Sequence, residues 1–205
     1  NNPGVWVYDP TKGEVATNMF VGTNDGNGQI VNGSVATGGQ STGIAFIGKG
    51  ADRKMYTFSE DYPTINGGNK VLRYDLGQND TWAAAPSAQF DAVSALLANA
   101  NVELVATDKG VFCSQTRYSG NNVEGIPAFA HIAHDGTVTF NSATIASTLD
   151  GCNGGGMAIY GDIFAIVDGS ANILLYNVKW NGSTPSFTYL YTVATPSATT
   201  EINQL

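Results

Sequence analysis

The chain has 205 residues, 42% of them apolar and only 13% charged, with a formal net charge of −8. That apolar content excludes disorder and suffices for a sizeable core; the acidic balance excludes nucleic acid and anionic lipid, since both need clustered Lys and Arg. A surface kept wet by Asn, Ser, Thr and Gly rather than by charge is the makeup of exported β proteins, so an extracytoplasmic location (periplasmic, secreted or surface-anchored) is expected. No run reaches the roughly 18 apolar residues of a membrane-spanning helix, so no membrane insertion is expected. No positively charged leader precedes an apolar segment, and the chain opens at Asn1-Asn2-Pro3 without Met, which fits loss of an upstream signal peptide. Cys113 and Cys152 are too sparse for a disulfide scaffold and match no zinc spacing. Two unpaired thiols are expected, a single disulfide being the alternative.

Residues 4–9 (GVWVYD) alternate Val5 and Val7 against Trp6 and Tyr8, break at Asp9-Pro10, and return as a second strand over 14–21. The polar segment 22–40 follows, so the first repeat lacks half its strands. In the second repeat, strands are expected over 42–47, 54–58 and 70–76. A broken outer strand then runs from Trp82 to Phe90, where Pro86 suits an edge because it cannot donate to a ladder. Residues 92–98 (AVSALLA) fit helix or strand by pattern, and the repeat demands a strand. The third repeat then reads 103–107, a turn at Asp108-Lys109-Gly110, 110–114, 126–133, a turn at Asp135-Gly136, 137–140 and 144–148. In the fourth, the clearest, strands over 157–160, 163–167, 172–178 and 187–193 are joined by Gly161-Asp162, Asp168-Gly169-Ser170 and Asn181-Gly182-Ser183. Such a meander cannot bury both its faces alone and needs copies of itself on either side. The tail 200–205 (TEINQL) resembles a first strand. The sequons at Asn32, Asn79 and Asn181 mark surface turns.

Tyr8-Asp9-Pro10, Tyr74-Asp75-Leu76, Ala133-His134-Asp135 and Tyr176-Asn177-Val178 superpose as third strands. Tyr8 to Tyr74 spans 66 residues, and Tyr74 to Tyr176 spans 102, or 51 for each of two repeats. That spacing lies in the range of propeller blades, and the unevenness belongs to the loops. The expected fold is therefore all-β, an incomplete β-propeller of about three and a half blades: 1–41 in part, 42–91, 92–149, 150–196, and 197–205 as the start of another. The hairpins VDGSANILLYNV and KGADRKMYTFSE…NKVLRYDL and the turn YDPTKGEV resemble the bacterial β-propellers grouped as YVTN-repeat and quinoprotein-like proteins. Thr11 and Gly13 are shifted from the Tyr-Asp-x-x-Thr-Gly pattern of that group, so no cofactor is carried over. Three blades are too few for a closed ring, so the remainder of the same propeller is expected outside these residues.

In a blade, the connections after the second and fourth strands lie on one face. The long connections 22–40, 59–69, 114–125 and 149–156 all fall there, and long loops gathered on one rim carry function more often than packing. This rim and its neighbouring turns carry the candidate binding residues Asp25, Glu60, Asp61, Tyr62, Arg117, Tyr118, Glu124 and Asp168. Tyrosine rings beside carboxylates suit a sugar or a peptide, one offering an apolar face and the other hydrogen-bond acceptors. Other constellations fail on geometry. His131 and His134 stand three apart on a strand and point to opposite faces. Asn24-Asp25-Gly26-Asn27-Gly28 opens like a calcium loop but reaches Ala36 where the bidentate Glu belongs. Gly154-Gly155-Gly156 has neither the Lys nor the helix of a phosphate loop. No Gly-x-Ser-x-Gly elbow occurs, and no catalytic or metal residue is assigned. The expected function is non-catalytic binding or scaffolding of a glycan, peptide or protein. The alternative is a lactonase-like or metal-dependent hydrolase completed by other segments.

Overall fold

The computed structural model describes residues 8–9, 14–15, 20–21, 44–59, 70–75, 82–83, 86–91, 102–115, 129–141, 156–167 and 172–194. They belong to two compact units, Asn1–Ala92 and Val93–Leu205. The fold is all-β: the described residues are mostly strand, with no α-helix and a single helical turn of the 3₁₀ kind at Gly50–Asp52.

In the first unit, β1 (Tyr8–Asp9) and β2 (Glu14–Val15) form a small antiparallel pair. β3 (Phe20–Val21) precedes β4 (Ile44–Ile47), β5 (Lys54–Ser59) and β6 (Lys70–Asp75), and β7 (Trp82–Ala83) precedes β8 (Ala88–Asp91). The main sheet is a four-stranded antiparallel meander in the order β4-β5-β6-β8. Side chains alternate between faces along a strand, so the unbroken buried run Met55–Phe58 shows that both faces of β5 are covered. The stretch Trp82–Phe90 is not one interrupted outer strand, as expected, but two. Ala88–Asp91 closes the sheet, whereas Trp82–Ala83 pairs in parallel with Phe20–Val21 in a separate ladder.

The second unit holds two more meanders. One is β9 (Val102–Thr107), β10 (Gly110–Gln115), β11 (Phe129–Ala133) and β12 (Val138–Asn141). The other is β13 (Met157–Tyr160), β14 (Ile163–Val167), β15 (Ile173–Asn181) and β16 (Thr184–Val193). The first sheet starts at Val102; the strands expected over 92–98, 144–148 and 200–205 lie outside the described residues. The two sheets stack face to face, first strand against first (β9, β13) and last against last (β12, β16).

A cluster of buried side chains fills the space between them: Phe112 and Phe129 from one sheet, and Met157, Phe164, Ile166, Leu174, Tyr176 and Val178 from the other. Phe112 lies 5.1 Å from Phe164, and Phe187 lies 4.8 Å from Phe140, ring centroid to centroid. Tilted and edge-on aromatic pairs at such distances add about 0.5–1.5 kcal/mol each beyond area burial. β15 and β16, nine and ten residues long, outrun the four and five of β13 and β14. Their overhang turns at Gly182-Ser183, where Asn181 pairs with Thr184 and Gly182 takes a φ of +61° that suits a tight hairpin. From this overhang Trp180 reaches the opposite sheet, 5.1 Å from His131 and 5.9 Å from Phe112.

Candidate functional site

The strand ends decide where connections leave the sheets. In the second unit, Val102, Gln115, Phe129 and Asn141 lie at one end of their sheet, and Met157, Val167, Ile173 and Val193 at one end of theirs. A side chain ties the two ends together: Glu103 Oε2 accepts the Met157 backbone N–H at 3.0 Å. The longer connections, 116–128, 142–156 and 168–172, therefore all attach at this shared end. The tight turns at 108–109, 134–137, 161–162 and 182–183 attach at the opposite one.

Arg117, Tyr118 and Glu124 fall within 116–128 and Asp168 follows Val167, so all four belong in sequence to connections of the shared end. In the first unit, Glu60, Asp61 and Tyr62 fall between Ser59 and Lys70, and Asp25 between β3 and β4. All eight lie outside the described residues. One expectation needs correction. Residues 76–87 join Asp75 to Ala88 at the other end of the first unit's sheet and contain β7, so long connections there are not confined to one rim.

That other end carries a charged row that pattern reading overlooked. Lys54 stands opposite Asp75, and Arg73, two residues before Asp75, stands opposite Tyr56 on the same face. Arg73 Nη2 donates to Asp75 Oδ2 at 3.0 Å, its Nε is paired with Oδ1 at 3.0 Å, and Lys54 Nζ lies 3.9 Å from Oδ1. The Asp75 N–H donates to Ser87 Oγ at 2.9 Å, which ties the long connection to the strand end. Burial pushes the Tyr56 hydroxyl well above its ordinary range; Arg73 opposes that shift and Asp75 adds to it. Tyr56 thus stays a neutral phenol beside an arginine whose fork is already engaged, an arrangement that latches the strand end. The signal was present in KVLRYD, where the i, i+2 spacing puts Arg73 and Asp75 on one face.

No protein family matches this sequence, and no curated protein does.

Between the sheets of the second unit the titratable groups are buried. His131 is fully enclosed by the protein, its ring 4.7 Å from Phe112 and 5.1 Å from Trp180. Nδ1 lies 2.7 Å from Thr139 Oγ1, while Nε2 has no hydrogen-bond partner among the described residues. Burial, aided by nearby His134, pushes the imidazole down to about 4, so it is neutral at pH 7. His134 sits in the β11–β12 turn with Nε2 3.2 Å from the Asp108 carbonyl oxygen. The two imidazoles of HIAHD are therefore divided between core and turn, because β11 ends at Ala133 and His134 lies beyond it. Cys113 points to the other face of β10 as a free, buried thiol, 3.8 Å from the Ala130 carbonyl, and burial pushes it up to about 12. It cannot act as a thiolate nucleophile; Cys152 lies outside the described residues. Among the described residues no three His, Cys, Asp or Glu side chains gather into a metal-holding group.

Proposed function

We propose that this chain is an exported, non-catalytic binding or scaffolding domain that engages a glycan, peptide or protein at the end of its sheets where the longer connections attach. In this reading the four-stranded sheets are blades of an incomplete β-propeller of about three and a half blades. The meander order of all three sheets supports it, as does the first-on-first, last-on-last stacking in the second unit. The single observation that carries the binding reading is the shared end: with Glu103 joined to Met157, the segments holding Arg117, Tyr118, Glu124 and Asp168 all attach at one rim. Tyr62, in the connection after β5, is the candidate ring of the first unit, with Glu60 and Asp61 next to it in sequence and Asp25 in the connection between β3 and β4. A flat aromatic face with carboxylates around it favours a neutral or basic ligand over an acidic one, in keeping with the net charge of −8.

The test is a binding screen of the purified chain on glycan and peptide arrays, repeated with the Tyr62→Ala/Tyr118→Ala double variant. Loss of a unit's rim tyrosine is expected to weaken a ligand held by that unit by roughly tenfold or more with little change in melting temperature. A ligand whose affinity the double variant leaves unchanged would sink the assignment.

A further inference from the structure

Over residues 157–167, 173–175 and 191–193 the β13–β16 sheet is apolar on both faces; the inner face is covered, while the outward one is largely open, with Val167 buried at its rim end. Phe164, Ile166, Leu174 and Tyr176 point into the seam with the neighbouring sheet and are buried. The alternate residues form the outward face: Tyr160 opposite Ile163, and Ala165 opposite Leu175, which in turn stands opposite Tyr191. There Tyr160 is 90% exposed, Tyr191 56% and Ile163 39%. In the adjacent sheet the outward residues Val111, Cys113, Ala130 and Ile132 are just as apolar and are fully buried. Strands that are apolar on both sides belong to sheets covered on both sides. An open apolar face of this size on a soluble domain marks an interaction surface.

Charge and area identify the occupant. Of the described outward-facing residues on these four strands only Lys179, near the hairpin tip, is charged. Two chains of net charge −8 repel over most of their surface, and a face without acidic residues is where they can approach. Four strands about 4.8 Å apart and about five residues deep make a patch of about 19 by 17 Å. Side-chain relief roughly doubles that area, so two copies would bury roughly 1,200 Å² in total, at the lower end of specific interfaces. Stacking would also extend the sheet-on-sheet packing already present in the second unit.

We propose that this outward face is the contact between two copies of the chain, packed sheet on sheet about a twofold axis. The proposal goes beyond the rim-binding reading and does not depend on it, because the rim lies at the strand ends and this surface lies on the sheet face; a second copy takes the place that a further blade would hold in the propeller reading. Sedimentation velocity and light scattering on the full chain across a concentration series provide the test. The wild type is expected to shift from one to two chain masses as concentration rises. Ile163→Lys/Tyr191→Lys, at exposed positions that folding does not require, is expected to remain a monomer at the highest soluble concentration with an unchanged circular dichroism spectrum. Val138→Lys, exposed on the other sheet of the same unit, should dimerise as the wild type does. A wild type that stays monomeric throughout overturns the proposal, as does a dimer that survives the double lysine variant. Ligand binding by the same variants reads out the rim separately.

Discussion

His131 carries the clearest pH consequence of the fold. Its imidazole titrates near 4 in the folded chain and near 6.5 when exposed, so between those values the unfolded chain binds a proton that the folded chain refuses. Stability is then full above about pH 6.5 and declines by roughly 3 kcal/mol as pH falls to about 4. Glu103 slopes the other way. Burial raises its carboxyl above 4.5 against the opposing Met157 N–H, so over that interval the folded chain binds the extra proton and stability falls as pH rises. Chemical denaturation from pH 7.5 to 4 in a Glu103→Gln background isolates the histidine, and His131→Phe is expected to flatten the remaining slope. A slope that survives the substitution would assign it to other groups. The thiol of Cys113 is expected to resist a disulfide-exchange reagent in the native chain and to react once denatured; fast native reaction would contradict its burial.

At the scale of elements, the turn at 108–109 is the least replaceable. Gly110 opens β10 with φ +151°, and a Cβ there would overlap the Ile132 carbonyl oxygen of the neighbouring strand. Gly110→Ala is expected to cost about 2 kcal/mol or more in equilibrium unfolding, whereas Gly161→Ala, with open space around it, should cost less. Trp180→Ala should cost about 3 kcal/mol, because the β15–β16 overhang holds the far sheet through that ring. A short apolar run between turn residues located β14, and alternation located the first part of β15. It stopped at Val178 because Lys179 and Asn181 are polar, yet the ladder continues through Trp180 to a two-residue turn. Trp82–Ala83 looked like part of the outer strand because a local pattern cannot show a partner as distant as Phe20–Val21. The candidate rim chemistry is read from Tyr62, Tyr118 and the acids around them, all outside the described residues. Arg73 and Asp75 were legible as a same-face pair in KVLRYD, whereas the addition of Lys54 to their row and the Glu103–Met157 tie depend on cross-strand register and sheet stacking.

Across the whole molecule, two units with separate buried side chains imply separable stability. The second unit has its own cluster around Phe112, Phe164 and Tyr176, while Met55, Tyr56, Phe58, Val71 and Leu72 are buried in the sheet of the first. Phe112→Ala removes the ring that meets five other aromatic side chains, Phe129, His131, Phe164, Trp180 and Phe187. A cavity of that kind costs about 3–5 kcal/mol, a large share of the stability of a small domain. Amide hydrogen exchange on this variant is expected to show faster opening across β9–β16, with the protection of β5 and β6 unchanged. Protection lost equally in β5 and β6 would mean that the chain opens as one cooperative body and that the division near Ala92 has no energetic meaning. Should the loss stay within the second unit, the two stacked sheets constitute a cooperative element of their own, able to hold the 116–128 and 142–156 connections at one end irrespective of the state of residues 44–91.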